Sequence, residues 1–359
     1  MSQGTKIKWC RDTINPWVGC QRVSPACDHC YAAIYAKRFF PQAARWDGEP
    51  VRARAVTIQK HLDVLKRANK PRRVFCGSMT DLGLVAQRDP DGLAGFLSDL
   101  YRVQTARMQA GRQPHAFLWL TKRPKPLARF FGALLFEPGS QTFLYKPKEQ
   151  VPDGQHAATG TLITKHVPGL WVGVTAENQP MADARVPALL EMDLPELLWV
   201  SVEPILGAVN LQTIHCSDGA ILDARRGHKT GKEGGQGTPT RKLSWIVVGG
   251  ETGALARPSN PAWAHSLRQH AAAIWVPFFF KSWGAWGPIR PEEAGAFKGE
   301  VVAWMGSDMV IQVPTPHPTM NYPMVAKRGS KRNDAANWVD VLDQDVPEFP
   351  SSSPDSFLP

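Results

Sequence analysis

The sequence contains no apolar run of roughly 18 residues, the length that a membrane-spanning helix needs. Its first ten residues, MSQGTKIKWC, also lack the apolar region of a secretory signal. Both absences predict a cytoplasmic protein without a membrane partner. The remaining composition, 43% hydrophobic and 21% charged over 359 residues, is typical of a globular chain with one large domain or two small ones.

Cysteine is scarce as well, with six residues in 359, and a reducing cytoplasm argues against a disulfide framework. Three of the six lie in the stretch GCQRVSPACDHCYA, at Cys20, Cys27 and Cys30. No second CxxC pair follows, so this pattern has no obvious fourth ligand. Clustered cysteines in a cytoplasmic protein more often bind a metal or carry out chemistry than form disulfides. The other three are scattered, and we expect them to be structural: Cys10, Cys76 and Cys216.

Positive charge is concentrated near the N-terminus. The net charge is +10, and residues 1–73 contain fifteen Lys or Arg against five Asp or Glu, a surplus as large as that of the whole chain. Basic surfaces attract the phosphate backbone of nucleic acids. A solvated face that keeps the protein in solution is the alternative, and charge alone leaves both open.

Short apolar runs recur along the chain, and helix-like stretches separate several of them, at 61–70, 91–104, 181–192 and 262–273. Each run has about the length of a buried strand. Strands that alternate with helices predict βα units on a parallel sheet. The runs are TINPWVG as a first strand, then RVFCGSMTD (73–81), AFLWLTKRP (116–124), LWVGVTAEN (170–178), LLWVSVEPI (197–205), SWIVVGGET (244–252) and WVPFFFKSW (275–283).

Polar side chains follow six of these runs. In parallel α/β folds the carboxyl ends of the strands form the rim of the active site, so the repeated pattern predicts one shared functional face. For any single residue, a helix cap or a rim salt bridge is the alternative. The residues are Ser78, Asp81, Lys122, Arg123, Glu177, Asn178, Glu203, Glu251 and Lys281.

Two segments interrupt the alternation, at residues 137–168 and 215–243, and their Gly-rich and polar composition predicts loop insertions. The final stretch, VPEFPSSSPDSFLP, predicts a disordered tail. We expect a main domain over 1–290 and a partly disordered C-terminal extension over 291–359.

The spacing Cys20-x6-Cys27-x2-Cys30 admits three interpretations. A structural zinc site needs four ligands, and Cys10 or His29 would supply the fourth. Three ordinary cysteines are the second possibility, although the surrounding loop is polar. The third is a [4Fe–4S] cluster held by three thiolates, which leaves one iron open for a substrate. In radical SAM enzymes that iron holds S-adenosylmethionine, whose reductive cleavage yields a 5′-deoxyadenosyl radical that abstracts hydrogen.

Residues 8–290 resemble the phage Gp37/Gp68 family of radical SAM-like proteins. The first cysteine gap, six residues, is longer than the CxxxCxxC spacing of the wider superfamily but normal for this family. The motifs that carry the resemblance are NPWVGCQRVSPACDHCYA, FCGSMTDL, LTKRPKPL, WVGVTAENQPMADARVP, VSVEPILG, WIVVGGETG, ARPSNPAW and PFFFKSWG.

The resemblance implies an α/β fold, a partial (β/α)6 barrel over residues 1–290 with the cysteine loop after the first strand. It implies that three thiolates hold the [4Fe–4S] cluster: Cys20, Cys27 and Cys30. It implies a second set of residues that bind S-adenosylmethionine: Gly77, Ser78, Met79, Glu177, Asn178 and Ser201. It implies a third set that lines the cavity and acts in catalysis: Lys122, Glu203, Glu251 and Lys281.

The same resemblance implies a substrate. Related phage proteins are implicated in the hypermodification of thymidine, which protects the viral genome from host restriction. The implied reaction isomerises a glycine linked to thymidine through nitrogen into the Cα-linked form, in DNA presented by base flipping, with an electron donor as second partner and the host cytoplasm as location. Two alternatives remain open: a radical SAM repair lyase similar to spore photoproduct lyase, and a non-catalytic, zinc-stabilised nucleic-acid-binding protein. Some tryptophans near the strand ends are candidates for a platform on which bases stack.

Overall fold

The computed structural model describes residues 2–3, 5, 7–39, 46, 48–147, 167–231, 237–289, 301–305, 308–310 and 324–327. Its centre is a curled half-barrel of seven parallel strands whose order in space is their order in the chain. A short strand, Ser2–Gln3, pairs antiparallel at one edge. The seven parallel strands are β1 (Asp12–Ile14), β2 (Arg73–Cys76), β3 (Ala116–Thr121), β4 (Val167–Thr175), β5 (Pro195–Val202), β6 (Trp245–Gly249) and β7 (Phe278–Ser282).

Helices connect most neighbouring strands, as the alternation in the sequence predicts. Buried apolar residues recur at helical spacing on the faces that pack against the sheet, for example Leu93, Phe96, Leu97 and Leu100. Within the described residues, no helix combines the length and the apolar character of a membrane span. The helices are α1 (Tyr31–Phe39), α2 (Ala55–Arg67), α3 (Leu82–Arg88), α4 (Pro90–Gln109), α5 (Pro124–Gly132), α6 (Gln179–Leu190) and α7 (Pro261–Ala272).

The predicted first strand is shorter in the structure. Only Asp12–Ile14 joins the sheet, whereas Trp17–Val18 pairs with Val51–Arg52 in a separate two-stranded ribbon. Pro16 lies between the two segments and has no backbone N–H to donate to a ladder. The chain therefore leaves the half-barrel after Ile14, and the cysteine loop follows.

The two faces of the sheet bury different residues. On β5, Leu198, Val200 and Val202 point to the outer face, where they join the main core under the helices. Leu197 and Trp199 point to the inner face. There they join an aromatic cluster in the hollow of the half-barrel, which contains Trp9, Phe75, Trp171, Trp199, Trp245 and Phe279.

The predicted loop insertions contain strands. Residues 137–168 begin in a hairpin, Leu134–Glu137 with Thr142–Tyr145. The insertion at 215–243 was expected to be a loop, but it forms a small antiparallel sheet because Leu222 and its neighbours bury their side chains in the main core. Residues 148–166 and 232–236 lie outside the described part. The four strands of this sheet are Ile214–His215, Ile221–Asp223, His228–Thr230 and Thr238–Pro239.

The region after β7 contains a further antiparallel sheet. Its strands are Trp286–Ile289, Val301–Met305, Asp308–Val310 and Met324–Lys327. The described residues of the predicted extension 291–359 are therefore strands. The predicted disordered tail lies in 328–359, outside the described residues.

Candidate functional site

A cavity of about 200 Å³ lies over the carboxyl ends of the parallel strands. This is the edge where the polar residues of the sequence were predicted to meet. Met79, Glu177 and Asn178 are not among the lining residues. Ten of the thirteen predicted site residues do line the cavity: Cys20, Cys27, Cys30, Gly77, Ser78, Lys122, Ser201, Glu203, Glu251 and Lys281.

The inner face of the sheet changes from aromatic to polar toward this cavity. On β5, Trp199 is followed on the same face by Ser201 and then by Glu203, because side chains alternate along a strand. Thr175 of β4 lies in register beside Ser201, and both are 1% exposed. The aromatic cluster thus forms a floor, a ring of small hydroxyl residues lies above it, and charged residues form the rim.

The cysteine loop lies across the rim, and Glu177 at the end of β4 is one of its anchors. Glu177 is fully buried, pairs with Arg185 at 2.8 Å, and accepts a hydrogen bond from the backbone N–H of Ala26 at 3.3 Å. Burial would raise the pKa of Glu177, but the Arg185 guanidinium and hydrogen bonds outweigh it and hold the pKa below its usual 4.5. Glu177 therefore holds the loop, and the predicted contact with a ribose gains no support from its position.

Glu251 at the end of β6 is the second anchor, and it acts through Arg257. The Arg257 guanidinium donates to Glu251 Oε1 at 2.6 Å and Oε2 at 2.9 Å, and it also donates to the backbone oxygen of Pro25 at 2.9 Å. It reaches Asp28 Oδ2 at 3.3 Å, and His29 Nδ1 lies 3.2 Å from Glu251. Burial would raise the pKa of Glu251, but these hydrogen bonds keep it below the usual value.

Asp81 and Arg123 form the third anchor, at the ends of β2 and β3. Asp81 is 5% exposed and accepts hydrogen bonds from Thr121 Oγ1, from the Lys122 N–H at 2.9 Å and from Arg123 at 3.2 Å. Arg123 in turn donates to the backbone oxygen of Gln21 at 2.7 Å. This network fixes the loop next to Cys20.

The segment after β2 packs against the start of the cysteine loop. Asn15 Oδ1 accepts hydrogen bonds from Ser78 Oγ at 3.0 Å and from the Met79 N–H at 3.2 Å. Gly77 turns the chain with a φ of +89°, a backbone conformation that residues other than glycine rarely adopt. Met79 does not reach the cavity because its side chain packs against α1. Asn178 likewise caps α6 by accepting from the Met181 N–H at 3.1 Å.

Two of the predicted catalytic residues bind each other. Lys281 donates to Glu203 in an ion pair across β5 and β7. Lys122 also lines the cavity, but within the described residues it forms no ion pair. A lysine without a counter-charge in a cavity can bind an anionic group of a ligand.

The three thiols of the loop are free and stand in one cavity. Burial raises the pKa of Cys20 to about 12, so this thiol is protonated at neutral pH and a metal would have to displace its proton. Cys10 packs in the aromatic cluster, and Cys76 and Cys216 pack in the main core.

Thiolates are ligands both of iron–sulfur clusters and of zinc. A cluster takes each thiolate on a different iron, so its ligands stand farther apart than the ligands of one ion. Within the described part of the chain, no three His, Cys, Asp or Glu side chains converge as the ligands of one ion do. All three thiols line the cavity, so a group held by three thiolates would find its donors here.

A family model of proteins of unknown function, DUF5131, matches residues 4–342 of the chain. The chain belongs to the DUF5131 family. No curated protein and no solved structure matches it. The family match extends beyond residue 290, so the C-terminal antiparallel sheet is part of what the family shares.

Sequence patterns missed several residues that build this DUF5131 site. Asp81 and Arg123 were visible as strand-end residues, but their role as anchors was not. Arg257 lies eight positions after the end of β6, and only its contacts reveal its role. Trp9 lines the cavity, but it precedes the first strand, and no sequence pattern marked it as a site residue.

The tryptophans near the strand ends are core residues. Four of them are at most 1% exposed, so the predicted stacking platform gains no support from them. They fill the sheet interior and the floor of the half-barrel: Trp119, Trp171, Trp199 and Trp245. Trp283 and Trp286 are also buried.

Proposed function

We propose that this protein is a radical SAM enzyme whose [4Fe–4S] cluster is held by Cys20, Cys27 and Cys30. One observation carries the proposal: these three thiols, and no other cysteine of the described residues, line a cavity at the carboxyl ends of a parallel half-barrel. When bound, such a cluster supplies an electron to S-adenosylmethionine and thereby a radical that abstracts hydrogen from an unactivated C–H bond.

The protein's own residues would hold and shield this chemistry. The three anchors at Glu177, Glu251 and Asp81 pull the cysteine loop over the cavity from different strands. Held in this way, the cysteine loop would cover the cavity and keep water from the reacting groups. Ser78 and Ser201 line the cavity with hydroxyl groups that would orient the cofactor or the substrate.

The proposed substrate is a thymidine in phage DNA that carries an N-linked glycine, which the enzyme isomerises to the Cα-linked form. The resemblance supports this substrate, and so does the basic N-terminal fifth of the chain. Lys122 Nζ would bind the glycine carboxylate, because it lines the cavity and makes no ion pair with the described residues. A repair lyase for damaged pyrimidines would need the same opening step on a different base.

The test begins with protein purified and reconstituted without oxygen. We expect about four irons and four sulfides per chain. Adding S-adenosylmethionine and dithionite should produce 5′-deoxyadenosine, measured by liquid chromatography. Cys27→Ala should lose most of the iron and all of the 5′-deoxyadenosine. Cys216→Ala is the matched control and should keep both, because Cys216 is buried away from the cavity.

Zinc in place of iron, together with intact S-adenosylmethionine, would contradict the enzyme and leave a cysteine-clamped nucleic-acid-binding protein. If the radical forms, incubation with hypermodified and with damaged DNA distinguishes the two substrates. Consumption of the modified thymidine, and not of the lesion, is the expected result.

A further inference from the structure

Two buried polar atoms at the bottom of the cavity have no hydrogen-bond partner among the described residues: Ser201 Oγ and Trp9 Nε1. The two residues are 1% and 3% exposed, and both line the cavity. Buried polar groups in proteins are nearly always paired, so two unpaired ones on residues that line one cavity indicate a ligand that pairs with them. Trp119 and Trp199 also bury an unpaired indole N–H, but neither lines the cavity.

The surroundings of these atoms determine what the ligand can be. The neighbouring walls are apolar, formed by Phe75 and Leu120, and the Trp9 and Phe75 rings lie 4.8 Å apart. The cavity's acidic groups are already paired, as in Glu203 with Lys281, so nothing at the bottom neutralises a charged ligand. Aromatic walls favour a planar, uncharged group.

The hydrogen-bonding groups of the cavity further restrict the chemical class of the ligand. An indole N–H only donates, so the ligand must present an acceptor such as a carbonyl oxygen. The Ser201 hydroxyl can donate or accept. Lys122 lines the same cavity, and its side chain forms no ion pair with the described residues. A ligand that satisfies all three has an uncharged heterocycle at one end and an anionic group at the other.

We infer that the cavity floor binds the base of a nucleotide, with Trp9 and Ser201 on the base and Lys122 on an anionic substituent, which is the glycine carboxylate in the proposed substrate and the phosphate in a simple nucleotide. That this base is the group on which the radical acts rests on the proposed function. The floor is separate from the cysteine loop. Ser201 lies two residues before Glu203 on one strand, which places it about 7 Å deeper than the rim that the loop covers.

The adenine of S-adenosylmethionine is also a planar, uncharged heterocycle, so the test must separate cofactor from substrate. Calorimetric titration of the full-length protein uses three probes: thymidine 5′-monophosphate, thymidine and S-adenosylhomocysteine. Ser201→Ala and Trp9→Phe each remove one hydrogen bond and should raise the Kd of both thymidine probes about three- to tenfold. The Kd of S-adenosylhomocysteine should stay unchanged.

Lys122→Gln separates the two ends of the ligand. It should raise the Kd of thymidine 5′-monophosphate about tenfold or more and leave that of thymidine unchanged. Thr105→Val is the matched control, because it removes a buried, unpaired hydroxyl on α4 that does not line the cavity. Ser201→Ala adds no bulk, so it carries the test even if Trp9→Phe does not fold.

The inference is overturned if Ser201→Ala leaves both thymidine affinities unchanged, if neither thymidine probe binds at millimolar concentration, or if the variants weaken S-adenosylhomocysteine instead. Iron content and 5′-deoxyadenosine formed without nucleotide are measured on the same preparations. A cleaved cofactor without nucleotide binding defeats this inference alone, whereas nucleotide binding by a protein that holds no iron defeats the proposed function alone.

Discussion

At the scale of single residues, the acidic side chains at the strand ends serve mainly to hold the cysteine loop. Glu177 and Glu251 each combine a backbone N–H with an arginine, and each carboxylate is at least nine-tenths buried. A buried carboxylate is stable as an anion only when such partners compensate for lost hydration. The loop's position therefore depends on charges that lie far from it in sequence.

Glu177→Gln tests this dependence, because it leaves the Arg185 guanidinium buried without a counter-charge. We expect the variant to lose about 3–5 kcal/mol of unfolding free energy at pH 7. The pKa of Glu177 is lowered in the folded state, so its contribution is complete above the unfolded value of 4.5 and is lost as pH falls through the folded pKa. The gap between wild type and variant should therefore narrow below pH 4.5.

The measurement is urea unfolding at pH 7, 5.5, 4.5 and below, on the metal-free protein. Glu191→Gln is the control, because Glu191 is exposed directly after the same helix, α6, and should change stability by less than about 0.5 kcal/mol. A gap for Glu177→Gln that stays constant as the pH falls would show that folding does not lower the pKa of Glu177.

At the scale of elements, the aromatic cluster fills the inner face of the half-barrel and keeps the half-barrel open. Trp199 of β5 lies in register between Trp245 of β6 on one side and Gly173 of β4 on the other. Gly173 has no side chain because the Trp199 ring occupies that space: a Cβ there would lie 2.5 Å from ring atoms. The ring layer supports Ser201 and Thr175 directly above it, so the shape of the cavity depends on this packing.

Gly173→Ala should therefore overpack the floor and cost about 1–3 kcal/mol, measured as the shift in thermal unfolding. Near-ultraviolet circular dichroism should change too, because the tryptophan rings must move. Gly95→Ala is the matched control, because Gly95 is exposed on α4 and a Cβ there would meet nothing within 4 Å. It should stabilise the protein by about 0.5–1 kcal/mol, since alanine suits a helix better. Equal effects of the two substitutions would refute the packing of Trp199 on Gly173.

At the scale of the whole molecule, the insertion between β5 and β6 is part of the main core. Ile214, Leu222 and Ala224 are each no more than 2% exposed and pack with residues of the central sheet. One apolar core shared by both parts favours a single cooperative unfolding transition. The insertion is therefore not an appendage that can be removed without cost.

Substitutions at two neighbouring residues of the insertion strand Ile221–Asp223 test whether the insertion and the half-barrel unfold in one transition. Leu222→Ala should cost about 2–5 kcal/mol, because Leu222 is 2% exposed in the core. Ile221→Ala should change stability by less than about 0.5 kcal/mol, because Ile221 is 41% exposed on the opposite face. Far- and near-ultraviolet circular dichroism should report the same shifted midpoint for Leu222→Ala. Separate midpoints would mean that the insertion unfolds on its own.

The sequence by itself determined the alternation of strands and helices, the gathering of polar residues at the strand ends and the cluster of three cysteines. These features are local, because the period of apolar residues and the first polar residue after a strand depend on near neighbours. Ten of the thirteen predicted site residues line the cavity for this reason. The first strand was predicted too long because the effect of Pro16 on the ladder was underestimated.

Only the tertiary structure decided which side chains remain available to a ligand. Glu251 meets His29 across 222 positions, and Lys281 meets Glu203 across 78, distances in sequence at which no pattern predicts a pair. Trp9 reached the cavity because the chain before β1 folds into the half-barrel, and the insertion became a sheet because its apolar face found the core. Burial and pairing arise from contacts between distant segments, so they exist only once the chain has folded.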